Sequence, residues 1–256
     1  MTTDIDMSSI TNFTPIGTSS ITFKGVLNGD NHEIKNLKIS SDIQSVGLFS
    51  NILNATIKNI GIVNATITST KDISQYSYSV GGLAGTVSRS IVSNCYIRNS
   101  TITTIGDISC GGLIGVDGRG TYNNCYTANC TINTRQGNGS YVGGFIGITM
   151  VHASYFNNCY AASKINITNT PTNTSRFYGG GFFGNSMNST AYGGKAIYTN
   201  CYYLDTWKGI GVATTQVTEN NVDANITGNV YSKTAVEMRA TNFVNVSTAT
   251  ADAGTT

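Results

Sequence analysis

The sequence predicts an all-β fold, a right-handed parallel β-helix of about six coils. Three observations carry that expectation. A glycine-rich motif recurs at intervals of about thirty residues. Two further short motifs follow it at similar distances in successive copies. The polar residues are amides and hydroxyls instead of charges.

The glycine motif begins as Val46-Gly47-Leu48-Phe49 and returns as Val80-Gly81-Gly82-Leu83-Ala84-Gly85. Further copies are Cys110-Gly111-Gly112-Leu113-Ile114-Gly115, Val142-Gly143-Gly144-Phe145-Ile146-Gly147 and Gly179-Gly180-Gly181-Phe182-Phe183-Gly184. The second motif is Asn before an apolar residue: Asn59-Ile60, Asn94-Cys95, Asn124-Cys125, Asn158-Cys159 and Asn200-Cys201, with Asn36-Leu37 as an earlier copy. The third is a Thr-rich run: Ala65-Thr66-Ile67-Thr68, Ser100-Thr101-Ile102-Thr103, Cys130-Thr131-Ile132-Asn133 and, less regularly, Ile165-Asn166-Ile167-Thr168. Each repeat therefore holds three runs that alternate apolar and polar residues with period two, separated by Gly, Asn, Ser or Asp. Such runs are strands. One coil alone cannot bury its inward side chains, whereas stacked coils bury them against one another. A propeller would need longer repeats with four strands each. Right-handed winding is the default for parallel connections.

Composition agrees. Charged residues are 11% of the chain, against roughly 25% in an average globular protein, while Asn, Thr and Ser number 29, 36 and 25. A helical protein would carry more Ala, Leu, Glu and Lys. The net charge is +2 and no two basic residues adjoin, so no nucleic-acid footprint is visible. No apolar run approaches the length that spans a membrane, and the first six residues lack the basic and apolar regions of a signal peptide. If the protein is exported, the chain is expected to be a mature part or an internal piece of something longer.

The expected organisation is an entry segment and N-terminal cap over 1–30, β-helix repeats over 31–202, an exit coil and C-terminal cap over 203–246, and a loose tail over 247–256. Thr234 with Glu237 three residues later would open a short helical cap through Thr234–Arg239.

These motifs resemble the GLUG repeat family, named for a Gly-Leu-apolar-Gly core that stands here at 82–85 and 112–115, and with Phe for Leu at 144–147. Asp4-Ile5-Asp6-Met7, Pro15-Ile16-Gly17 and Phe23-Lys24-Gly25-Val26-Leu27-Asn28-Gly29 look like the family's entry, and Thr234-Ala235-Val236-Glu237-Met238 like its exit. The resemblance implies a β-helical region of a large bacterial surface protein, such as an adhesin or a non-catalytic part of an immunoglobulin A peptidase. It implies an extracellular or cell-surface location, a host or neighbouring-cell glycan or protein as partner, and no catalytic residues to carry over.

Candidate sites are few. Cys95, Cys125, Cys159 and Cys201 share a position with Leu37 and Ile60, so they read as small buried apolar residues. Disulfides between stacked coils fit by distance alone, and no CxxC pair offers a zinc site. Asp42, Asp72 and Asp107 each precede a glycine motif and would stack into a loose acidic stripe. That stripe either caps turns or, as the one cofactor reading, takes Ca2+. A polysaccharide-degrading β-helix would need clustered carboxylates; the 13 acidic residues are spread out, and Asp107 and Asp117 are the ones to test. His32 and His152 lie in non-equivalent repeats and form no triad.

Two outward stripes remain. Tyr96, Tyr126, Tyr160 and Tyr202 follow the buried Cys, so alternation turns them outward as an aromatic ladder, the leading ligand-contacting candidate. Thr66, Thr68, Thr101, Thr103 and Thr131 would form a hydroxyl array, interrupted by Ile105, Asn133 and Arg135. Ice binding is its minor reading. The sequence thus points to a non-catalytic adhesive or stalk-like segment, with a polysaccharide-degrading enzyme and a virion or surface-layer component as alternatives. Eleven Asn-x-Ser/Thr sequons slightly exceed the number that composition alone would give.

Overall fold

The computed structural model describes residues 1–135, 140–150, 153–168, 178–186, 196–204 and 230–233, excepting the side chains of 74–77, 186 and 230–233. The expected helical cap at Thr234–Arg239, most of the exit coil and the tail lie outside them, as does His152.

The described residues are strands and turns, and every strand pairing is parallel. After β1 (Ile5–Asp6), five complete coils follow. The first holds β2 (Val26–Lys35), β3 (Lys38–Ser41), β4 (Ser45–Val46) and β5 (Phe49–Leu53). The second holds β6 (Thr56–Val63), β7 (Thr66–Ser69), β8 (Ser74–Gly81) and β9 (Ala84–Ser88), and the third β10 (Ile91–Arg98), β11 (Thr101–Thr104), β12 (Asp107–Gly111) and β13 (Ile114–Gly118). The fourth holds β14 (Thr121–Asn123), β15 (Tyr126–Thr134), β16 (Tyr141–Gly143) and β17 (Ile146–Thr149). The fifth holds β18 (Ser154–Asn157), β19 (Tyr160–Ile167), β20 (Tyr178–Gly180) and β21 (Phe183–Ser186). β22 (Ala196–Thr199) and β23 (Cys201–Leu204) begin another, and β24 (Val230–Lys233) stacks on β23. The expected parallel β-solenoid is thus the observed fold.

Each coil folds around three walls. Two are five-stranded sheets, β4-β8-β12-β16-β20 and β5-β9-β13-β17-β21. The third is a bent 14-stranded sheet whose first limb holds β2, β6, β10, β14 and β18, and whose second holds β3, β7 and β11.

The corners explain the motifs. Asn36, Asn64, Asn99 and Asn129, with φ of 60, 56, 53 and 50°, turn the chain between the limbs. Asn is among the few side chains that tolerate this left-handed backbone. A second left-handed column, Asn59, Asn94, Asn124, Asn158 and Asn200, sits just before the buried apolar position. Its amides link coil to coil: Asn59 donates to Asn28 at 3.0 Å, Asn94 to Asn59 at 2.8 Å, Asn124 to Asn94 at 3.0 Å, Asn158 to Asn124 at 3.2 Å and Asn200 to Asn158 at 3.1 Å.

The glycine motif marks the junction of the two five-stranded sheets. Gly112 is at the turn itself, where a Cβ would lie 2.1 Å from the carbonyl oxygen of Gly144 in the next coil. Gly115 faces inward, and its Cβ would lie 2.7 Å from the Val80 nitrogen. The sheets meet there backbone against backbone, which only hydrogen side chains allow.

Inward positions stack into columns. Leu48, Leu83, Leu113, Phe145 and Phe182 fill one corner, and Ile57, Val92, Tyr122, Phe156 and Tyr198 fill the first limb. In these two columns the N-terminal coils are aliphatic and the later ones aromatic. Tyr122, Phe156 and Tyr198 stack at 4.8 Å, as do Phe145 and Phe182, while the two columns meet edge to face. Each fully buried Leu, Ile or Phe contributes about 1.5–3 kcal/mol.

The entry segment follows the path of the first coil and covers its open edge. Ile5 pairs with Ile34, Ile16 with Phe49 and Phe23 with Ile52. Asn12 exchanges two hydrogen bonds with the Ser40 backbone, at 3.1 and 2.7 Å.

One alignment differs from the sequence reading. Leu37 does not share the column of Ile60 and Cys95. Lys38 pairs with Thr66, so Leu37 stacks over Ala65, while the register partner of Ile60 is His32. The cause is that Asn36 is the counterpart of Asn64 at the corner between the limbs, not of Asn59; a bulge between Asn28 and His32, where Asp30 and Asn31 take left-handed backbone, makes the first coil longer before that point. Ile60 and Cys95 do pair.

Gly112→Ala should destabilise the protein by about 2 kcal/mol or more, because the surrounding backbone must move to admit one methyl group. Urea unfolding followed by circular dichroism measures this, and an unchanged midpoint would show that the corner has room.

Candidate functional site

The tyrosine ladder exists, in register. Tyr96 pairs with Tyr126, Tyr126 with Tyr160 and Tyr160 with Tyr202. The Tyr96, Tyr126 and Tyr160 rings lie 4.8 Å apart and within 8° of parallel. They point away from the main core, as alternation requires, but they are not all in solvent. Tyr126 is 3% and Tyr160 4% exposed; Tyr96 and Tyr202 are half-buried. Each middle ring is covered by its neighbours in the stack, and Ala128, Ala162 and Leu204 pack against the cluster. The ladder is a second hydrophobic spine outside the main core.

Its lower end is built from charge. Gly61 stands between Glu33 and Tyr96 in the register and has no side chain to separate them. The Tyr96 hydroxyl therefore crosses it and donates to Glu33 at 2.6 Å. Arg98 donates to the same oxygen at 3.0 Å, and Lys35 lies 3.3 Å from the other. Burial opposes ionisation of Glu33, but the hydrogen bonds from Tyr96 and Arg98 outweigh it and hold the carboxyl below its usual range. Burial, reinforced by Glu33, pushes the Tyr96 phenol well above its usual range. Lys35 also reaches Asp4 at 2.8 Å, and His32 lies 3.3 Å from Asp4. Hydrogen bonding from Lys35 and the Glu33 backbone lowers Asp4 to about 2. These ion pairs fasten the entry segment to the first coil.

The acidic stripe does not assemble. Asp107 pairs in register with Ser74, and the Arg135 guanidinium reaches both Asp72, at 2.9 Å, and Asp107, at 3.5 Å. A cation already stands between the two carboxylates. Asp42 is exposed on the turn before β4. Among the described residues, no three His, Cys, Asp or Glu side chains converge as metal ligands.

All six cysteines are free and buried. Each of Cys95, Cys125, Cys159 and Cys201 donates to the carbonyl two residues before it, at 3.2, 3.3, 3.4 and 3.5 Å. Burial pushes the Cys95 and Cys159 thiols up, Cys110 to about 12 and Cys130 to about 11.

One of the two carboxylates singled out for testing, Asp117, lies inside the core, which the sequence reading did not foresee. Asp117 is fully buried in β13, in a column where its register partners are Val87 and Thr149. It accepts from the Gly120 backbone at 2.8 Å, from the Tyr122 hydroxyl at 2.7 Å and from the Ser154 hydroxyl. Burial raises its carboxyl to about 6 despite these donors. The signal was available: counting two residues on from the last glycine of each motif gives Val87, Asp117 and Thr149. Its lack of exposure removes it from any reaction with a polymer in solvent.

The hydroxyl array is regular over three coils. Thr66, Thr101 and Thr131 stack in one column, with Lys38 and Lys164 at its ends. Thr68, Thr103 and Asn133 stack in the next, between Ser40 and Asn166.

The sequence matches no family model and no curated protein. Among solved structures, the crystal structure named "putative immunoglobulin A1 protease", from Bacteroides ovatus, aligns with a TM-score of 0.61. The alignment covers 94% of this chain and 78% of that one, at 22% sequence identity. The two proteins share a fold.

Two measurements check this description. Cys95, Cys125 and Cys159 should resist a polar thiol reagent in the native protein and react after unfolding; rapid native labelling would place that column outside the core. Asp117 should make stability rise as pH falls from about 6 towards 4. Above pH 6 the carboxylate is charged in both states, and its burial costs on the order of 3 kcal/mol, from a shift of about two units. Below that the folded state takes up the proton first and the cost disappears. Asp117→Asn should flatten this part of the unfolding profile, and an unchanged profile would assign the effect to another group.

Proposed function

We propose that this chain is a non-catalytic, rigid β-helical segment of a cell-surface or secreted protein, acting as a stalk or adhesive surface for a host or neighbouring-cell glycan or protein. The observation that carries this reading is the filling of the interior. Columns of Ile, Val, Leu, Phe, Tyr and Cys occupy it from coil to coil, so flat outer walls repeating at the coil spacing are what a partner meets. Four of the described carboxylates suit the same reading. Asp117 is sealed in the core, Glu33 is held by Tyr96 and Arg98, and Asp72 and Asp107 share Arg135. The motif resemblance to GLUG repeats supports surface display.

A second reading is a part of a peptidase, favoured by the name of the Bacteroides ovatus neighbour. One experiment separates the two. The whole chain is incubated with immunoglobulin A, pectin, chitin and glycosaminoglycans, and in parallel is coated on beads and offered to cells. The expected outcome is bead adhesion without cleavage. Cleavage that disappears in Asp107→Asn would establish catalysis, and failure of the beads to adhere would leave a passive spacer.

A further inference from the structure

The first limb of the bent sheet carries an outer face that the tyrosine ladder, the threonine array and the ion pairs do not use. One outward column runs Val26, Thr56, Ile91, Thr121, Tyr155 and Ile197 through six successive strands in unbroken register. Val26 is 71%, Ile91 47% and Tyr155 43% exposed. The next outward column runs Asn28, Lys58, Ser93, Asn123, Asn157 and Thr199. Asn157 donates to Asn123 at 2.9 Å, and Asn123 to Ser93 at 3.4 Å. Beside it stands the left-handed Asn ladder from Asn59 to Asn200. Lys58 is the one charged side chain in these three columns.

We infer that this face binds a linear, uncharged polysaccharide laid along the solenoid axis. The inference rests on the adhesive reading and names its ligand class and its face. Three features lead to it. A sugar ring is amphipathic, with C–H groups that pack on aliphatic and aromatic side chains and hydroxyls that exchange hydrogen bonds with amides. Here an apolar stripe and amide columns run side by side. The side chains repeat at the coil spacing, seen as 4.8 Å between stacked rings, a step similar to the length of one sugar unit in an extended chain. A single charge within the three columns, Lys58, suits a neutral partner, since an acidic glycan calls for clustered basic residues; exposed Arg89 and Arg119 stand at the corner beside the apolar column, outside it. A protein strand is the weaker occupant, because the backbone hydrogen bonds of these strands are already made to the coils above and below.

Affinity gel electrophoresis tests the inference with the whole chain in gels containing xyloglucan, glucomannan or dextran, with alginate and chondroitin sulfate as charged counterparts. At least one neutral chain should retard the protein, and added salt should leave the retardation unchanged. The double variant Ile91→Thr, Tyr155→Thr should weaken retardation at least about tenfold. Thr is the residue this column already uses at 56 and 121, so the fold should survive, which a thermal melt checks. Thr101→Val, on the other limb, should bind as the parent does. Retardation by acidic chains alone, retardation that survives the double change, or no retardation by any neutral chain would each overturn the inference. Bead adhesion to cells without retardation would keep the adhesive reading and assign the partner to protein. Loss of both would remove the two together.

Discussion

In a parallel solenoid every residue is stacked on its own counterpart one coil away. A side chain is therefore selected less by what lies across the core than by what lies above and below it. Aromatic rings tolerate this well, since parallel rings at 4.8 Å bury each other's faces. Amides tolerate it too, because each can donate to the next and accept from the one before. Charges tolerate it badly, because like charges would repeat at the same spacing. The low charge of the chain follows from this geometry.

The same constraint fixes the turns. A corner cannot be made differently in one coil without leaving its neighbours unpaired, so the left-handed Asn and the close-packed Gly recur as columns. Where a coil does depart, the departure is local. β19 passes the corner between the limbs one residue shorter than β15, and the register resumes at once on the far side, with Ala162 opposite Ala128 and Ser163 opposite Cys130. The first coil does the reverse, gaining residues between Asn28 and His32. In these two cases length variation is absorbed at a corner; between β8 and β12 it falls inside a wall, where the chain from Ser74 to Ser79 stands opposite the shorter stretch from Asp107 to Ser109 and the register then resumes through Gly81 and Gly111.

Much of this was legible in the sequence, and the reasons for what was not are physical. The glycine motif, the period-two runs and the Asn-apolar pair identified the solenoid, and Ile60 correctly marked the Cys95 position as interior. The bulge at 29–31 was hidden because Asn36-Leu37 mimics Asn59-Ile60 while belonging to a different corner. Alternation gave the direction of the tyrosines, but direction is not exposure. Their burial comes from stacking on one another and on Ala128, which a single-strand pattern does not encode. The sequons at Asn64, Asn99 and Asn129 have a structural origin, since a left-handed corner favours Asn and the outward strand position two residues later favours Thr.

The direction of the backbone hydrogen bonds has a mechanical consequence. They run between coils, along the solenoid axis, and not across it. A load spread evenly over the first coil and the last is shared by all the bonds of one coil at once. A load applied through a chain end meets them one after another, and the ion pairs of Asp4 and Lys35 stand first in that line at the N-terminal end. The same molecule is stiff when held by its walls and can be unwound, coil by coil, when pulled by its thread.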